Sequence, residues 1–178
     1  MSKNQDDSAE MHFKAGNQYF ELGDYANAVL EFQSFIRIDP KRYNAYLNAG
    51  NAYFQLKDDA MALECFSQAI ALDGNSKIAY YNRGLVNSRL KKFDQAIEDY
   101  TRVLAIDGNA VEAFVNRGSV YLKFDQAEKA VADFSRAIEL NGGWQAYYNR
   151  ALAFEKLNEP EKAQQDFITA LRLKTEVK

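Results

Sequence analysis

The sequence predicts an all-α fold, a solenoid of five helix–turn–helix units, on three observations. Small residues recur with a fixed period: Gly16, Gly50, Gly84 and Gly118 lie 34 residues apart, and Gly74, Gly108 and Gly142 keep the same step. The same ruler carries Ala28, Ala62, Ala96 and Ala130, with Ala163 after 33, and the aromatic series Phe32, Phe66, Tyr100, Phe134 and Phe167. Inside a unit, apolar residues recur in steps of three and four, as in Phe93, Ala96, Ile97, Tyr100 and Leu104. Those steps trace one face of a helix, not the alternation of a strand. An isolated helix pair cannot bury both its faces, but stacked copies can.

In chain order, a flexible polar tail over residues 1–8 precedes a solenoid over 9–178. Its units lie near 9–42, 43–76, 77–110, 111–143 and 144–177. Each unit breaks once internally, at Leu22-Gly23-Asp24, Lys57-Asp58, Lys91-Lys92, Asp125-Gln126 and Asn158-Glu159-Pro160. Between units stand Asp39-Pro40, Asp73-Gly74-Asn75, Asp107-Gly108-Asn109 and Asn141-Gly142-Gly143, which carry helix-stop chemistry. A mid-helix Gly costs about 1 kcal/mol relative to Ala. Its recurrence in register therefore predicts close helix approach, with a bulky aromatic packed over each small residue.

These registers resemble the tetratricopeptide repeat family. Its first helix has a large residue, then Leu-Gly, then Tyr; its second has Ala, an aromatic and Ala, and Pro closes the unit. The second unit here reads Tyr46, Ala49-Gly50, Tyr53, Ala62, Phe66 and Ala69, with Gly74 in the Pro place, and the first unit has Pro40 there. The resemblance implies a right-handed superhelix whose first helices line a concave groove. Tyr46, Tyr80, Phe114 and Tyr147 replace the usual early Trp, His12 takes that place in the first unit, and Ala151 replaces the signature Gly in the last. The extra solvating helix common in such arrays is not read after the fifth unit.

Composition narrows the chemistry. With one Cys and one His in 178 residues, an intramolecular disulfide, a Cys-based zinc site and a His-pair metal site are excluded. His12 reads as a ring filling the aromatic slot, with a ligand or base as the alternative. Cys65 reads as a semi-buried filler, with a reactive thiol as the alternative. No Gly-rich phosphate loop occurs, so no active site, metal or cofactor is expected and the chain reads as a non-enzyme. A net charge of −3 offers no generic attraction for nucleic acid. The start has no signal-peptide core, and no apolar run approaches the roughly 18 residues that cross a bilayer. A soluble, cytoplasmic protein without membrane insertion is expected.

Two patterns are candidate sites. Arg83, Arg117 and Arg150 precede the Gly or Ala register, and the same three units carry Asp99, Asp133 and Asp166 before the second-helix aromatic. The first two units have neither, so Arg and Asp occur together or not at all. We read structural ion pairs tying the two helices of units three to five, with Arg as a ligand clamp the alternative. Asn48, Asn82, Asn116 and Asn149 form the second pattern, with Lys14 in the equivalent place of the first unit. The resemblance implies that this register lines the groove, where an amide with two donors and an acceptor can bind peptide backbone. The alternative is that Asn merely caps or solvates a helix. Beside it run Phe13, Leu47, Tyr81, Val115 and Tyr148, with Asn17 and Asn51 further along; core and groove both remain open for these side chains.

The resemblance also allows a test by position. Family members that grip a C-terminal carboxylate use two Lys, two Asn and one Arg over three consecutive repeats. Asn17 and Asn48 would supply the amides here, but the cation positions hold Phe13, Ile78 and Asn82, and later frames do no better, so no carboxylate clamp is expected. The expected function is a protein-interaction scaffold or adaptor that binds an extended or short helical segment of a protein partner in the groove. The alternative is self-assembly into a homo-oligomer through uncapped solenoid ends, where Phe167, Ile168, Leu171 and Leu173 lie.

Overall fold

The computed structural model describes residues 3–176 as ten α-helices, and no strand occurs among the described residues. The chain divides into two compact units, residues 1–90 and 91–178. The first contains α1 (Lys3–Glu21), α2 (Tyr25–Ile38), α3 (Tyr43–Gln55), α4 (Asp59–Leu72) and α5 (Lys77–Arg89). The second contains α6 (Phe93–Ile106), α7 (Val111–Lys123), α8 (Ala127–Glu139), α9 (Gly143–Lys156) and α10 (Pro160–Glu176). Within each unit, consecutive helices pack on one another.

Helix α1 starts at Lys3 and so takes in most of the segment expected to be a flexible tail. Asp6 in its first turn suits the positive end of the helix dipole. Ala9, one turn on, is buried in a cluster with Phe35 and Ala45 and anchors that end. Met1 and Ser2 of the expected tail lie outside the described residues, as do Val177 and Lys178 at the far end.

The turns follow local chemistry. Asp24 and Asp58 cap α2 and α4, each accepting a backbone N–H three residues on at 3.2 Å. The residue closing each first helix sits in the left-handed region: Gly23, Lys57, Lys91, Asp125 and Asn158 have φ of 76°, 61°, 59°, 54° and 59°. After α2, α4 and α6, the carboxylates of Asp39, Asp73 and Asp107 accept the N–H two residues on, at 3.2, 3.0 and 3.1 Å, making the same turn three times.

The aromatic register closes over the small one. A Cβ on Gly16 or Gly50 would stand 2.6 Å from the ring of Phe32 or Phe66, and one on Gly118 would stand 2.8 Å from Phe134. Those three rings are fully buried. Ala151 carries the Cβ that the glycines lack, and its partner Phe167 is only half-buried, edge-on to Tyr148 at 5.5 Å. No helix among the described residues is long and apolar enough to cross a membrane.

Candidate functional site

In the first unit, the Asn register joins successive first helices. Asn48 on α3 donates from Nδ2 to Oδ1 of Asn17 on α1 at 2.9 Å, and Asn82 on α5 donates to Asn51 on α3 at 2.7 Å. Each pair is half-buried. An amide has two N–H donors and an acceptor oxygen, so one such bond leaves Asn48 and Asn82 an N–H and the carbonyl oxygen. Asn17 and Asn51 keep both N–H groups beside those pairs. The ladder is thus a polar seam between helices as well as a surface with hydrogen bonds to give.

Beside the second pair lies a cavity of about 160 Å³ lined by Phe20, Asn51, Phe54, Gln55, Asn82 and Leu85. Pockets for small molecules begin near 300 Å³, so this one is the size of a single side chain. Its lining combines two rings and a leucine with three side-chain amides. Arg89 stacks over Phe54, 4.1 Å from the ring centroid, and its Nε donates to Asp59 at 3.1 Å. The cation stacked on Phe54, one of the cavity's lining rings, is therefore paired with a carboxylate. The sequence reading missed Gln55, Arg89 and Asp59, although Gln55 and Arg89 stand 34 residues apart in a register that continues as Lys123 and Lys156.

The neighbouring stripe is placed differently from the ladder. Leu47 is 8% exposed and belongs to the core of the first unit. Phe13 packs on Phe32 and Phe35, with ring centroids 6.0 and 5.3 Å apart. Val115 packs against the buried cluster of Ala130, Phe134 and Ala153, and Tyr148 lies edge-on to Phe167 while staying 45% exposed. One residue before the ladder is a rotation of about 100° around the helix, which turns these side chains toward their own second helix. Tyr81 is half-buried on α5, Asn116 and Asn149 are half-buried on α7 and α9, and Lys14 is exposed on α1.

The Arg register forms clips. In the second unit, Arg117 donates from Nε and Nη2 to the two carboxylate oxygens of Asp133 at 2.8 and 2.7 Å, and from Nη1 to Thr101 at 2.9 Å. Arg150 does the same with Asp166, at 2.7 and 2.9 Å, and with Ser135 at 3.0 Å. Each guanidinium also lies within 6 Å of two rings, Phe114 and Tyr121 for Arg117, and Tyr147 and Phe154 for Arg150. The hydrogen bonds to the Asp partners raise the pKa of both arginines further. In the first unit, Arg83 reaches Ser67 at 3.2 Å; Asp99 belongs to the second unit. Each Arg thus ties its helix to the second helix before it. Ser67, Thr101 and Ser135, overlooked as a set, keep the same 34-residue step and could have been found by it.

Titratable groups elsewhere are held by neighbours. His12 Nδ1 lies 2.6 Å from Glu31, which occupies the Asp register of the first repeat. Cys65 is buried, and burial first, then Glu64 and Asp58, push its thiol up to about 12. A protonated thiol at that value is no nucleophile.

Comparison with known proteins agrees with the fold of paired helices. Tetratricopeptide repeat models match residues 78–109 and 115–174, and a TPR repeat model matches 16–57 and 50–91. Among solved structures, a crystal structure of MamA protein superposes with a TM-score of 0.89 at 24% identity, covering 95% of this chain and 93% of that one. MamA 41-end from Desulfovibrio magneticus RS-1 gives 0.91 at 19% identity, covering 96% and 97%. A tetratricopeptide repeat protein from Parabacteroides merdae ATCC 43184 gives 0.87 at 19%, covering 93% and 66%. No curated protein matches the chain by sequence. Signature residues, helix pairs and family matches agree along the chain, which belongs to the tetratricopeptide repeat family.

Proposed function

We propose that this chain is a non-enzymatic scaffold that holds an extended segment of another protein along its first helices. Membership of the repeat family supports protein interaction in general. The finer reading rests on one observation: the Asn82–Asn51 amide pair borders a cavity large enough for one side chain. An extended segment has free backbone N–H and C=O groups that the remaining amide valences of Asn48, Asn51 and Asn82 match, whereas a helical segment has already used its own. Asp59 occupies the Arg89 cation, which favours an internal, uncharged stretch with one apolar side chain in the cavity over a terminal carboxylate.

The test is selection from a displayed library of unstructured peptides. Wild type should enrich sequences sharing one apolar anchor, and the Asn51→Ala/Asn82→Ala variant, with unchanged helicity, should bind them at least ~10-fold more weakly. Equal affinity in the variant would sink the groove reading.

A further inference from the structure

The α10 surface differs from every other second helix at the position that meets the next repeat. Ser67, Thr101 and Ser135 hold that position on α4, α6 and α8, and each accepts a hydrogen bond from the Arg of the following first helix. On α10 the residue is Ile168, 62% exposed. Leu171, one turn on, is 66% exposed, while Ile36, Ile70, Leu104 and Ile138 in the same register are half-buried. Beside them opens a cavity of about 330 Å³, lined by Ala163, Phe167 and Ile168 together with the polar Glu155, Asn158 and Gln164. An Arg-bearing repeat placed here would bring its guanidinium against an isoleucine. The surface suits a first helix with a small apolar residue in the Arg register.

Helix α1 is such a helix. Ala15 stands where the later first helices have Arg83, Arg117 and Arg150. Met11, 66% exposed, stands where α3, α5, α7 and α9 carry the fully buried Ala45, Ala79, Ala113 and Ala146. Ala45 seats against Phe35 and the partly buried Ile36 and Ile38, whose counterparts on α10 are Ala170, Leu171 and Leu173. Gln18 corresponds to Ala153, which packs on Ala130 and Phe134; its counterpart site on α10 is the cavity, whose polar lining residues match an amide. The ends match in charge as well. Asp6 lies in the first turn of α1 and Lys174 in the last turn of α10, the two ends that meet when a first helix docks antiparallel on a second.

We propose that the α10 face receives α1 of a second copy of this chain, with Met11 against Leu171, Ala15 against Ile168 and Gln18 toward the cavity. The two surfaces differ, so the contact is heterologous and leaves each copy one free α1 and one free α10 with which to continue. A single helix-on-helix contact is small, and a dissociation constant on the order of 10–100 μM is expected. The proposal is independent of the groove reading, because it uses neither the Asn register nor its cavity.

Sedimentation velocity over a concentration series tests it, with circular dichroism checking the fold. Wild type should show concentration-dependent assembly. Met11→Lys and Ile168→Lys, both at exposed positions, should each lower association at least ~10-fold by placing an ammonium in an apolar contact. Mixed together, the two variants should form a 1:1 dimer that grows no further, since each retains the surface the other has lost. A monomeric wild type, or variants that assemble like wild type, would overturn the proposal and leave this face to another segment or protein. A mixture that stays monomeric while wild type assembles would overturn the α1–α10 pairing in particular.

Discussion

Arg117 and Asp133 meet as two parallel hydrogen bonds of 2.8 and 2.7 Å, with side chains only 17% and 8% exposed. This fork joins α7 to α8, and the third bond, to Thr101, joins α7 to α6. A charge pair in such surroundings is costly to break from one side, because the survivor is left desolvated. Asp133→Ala should therefore lower unfolding stability by about 3 kcal/mol and Arg117→Ala by a similar amount. The double variant should cost clearly less than the sum, with a coupling energy of about 1–3 kcal/mol in denaturant melts. Near-zero coupling would show that the pair contributes nothing as a pair.

The glycine register predicts a second effect. A methyl at position 50 would press into the Phe66 ring, with a gap of 2.6 Å before relaxation. Overpacking costs about 1–3 kcal/mol, and better helix propensity returns about 1 kcal/mol. Gly50→Ala should thus destabilise by up to about 2 kcal/mol. Gly74→Ala should be nearly neutral on steric grounds, since nothing lies within 4 Å of its added Cβ.

At the first-helix ends, Lys57 and Lys91 hold left-handed backbone that Gly23 adopts without a side-chain penalty. Lys57→Gly and Lys91→Gly should each raise the melting temperature slightly, by roughly 0.5 kcal/mol of stability after the greater freedom of Gly in the unfolded chain is deducted. Gly23→Ala should lower it by about 1 kcal/mol.

The buried thiol gives a pH prediction. Burial raises the Cys65 thiol from its ordinary value near 9 to about 12 in the folded protein. Above pH 9 the unfolded chain loses this proton while the folded one keeps it. The protein binds more protons folded than unfolded, so stability falls as pH rises. Between pH 8 and 10 wild type should lose about 1 kcal/mol more than Cys65→Ala in urea melts. Thiol reagents should label native Cys65 slowly at pH 8 and rapidly only in denaturant.

Much of the fold was legible because each repeat solves the same packing problem. Gly50 and Phe66 recur as a pair since a ring can approach only where a Cβ is missing, so the period exposes the helix pairs directly. The co-occurrence of Arg117 with Asp133 and Arg150 with Asp166 was equally readable, because an uncompensated partner of either kind is costly. Less legible was the start of α1, where Asp6 and Asp7 look like solvated tail until Ala9 is seen buried against Phe35. The amide pairs were hidden for a different reason. Asn17 and Asn51 sit at a register that continues as Leu85 and Ser119, so the bonds from Asn48 and Asn82 cross between two series, only one of which repeats. Leu47 and Phe13 could not be divided between core and groove from the sequence, because both fates call for the same apolar residue.

The central claim is that the first-helix amides hold extended backbone. Side-chain amide resonances of Asn48, Asn51 and Asn82, followed during titration with a peptide selected by the wild-type protein, test it most directly. The account predicts saturable shifts at those amides and at Phe20 and Phe54, with the second-helix amides of α2 and α4 unmoved. Shifts confined to second helices, with the three Asn amides unchanged at saturation, would contradict it.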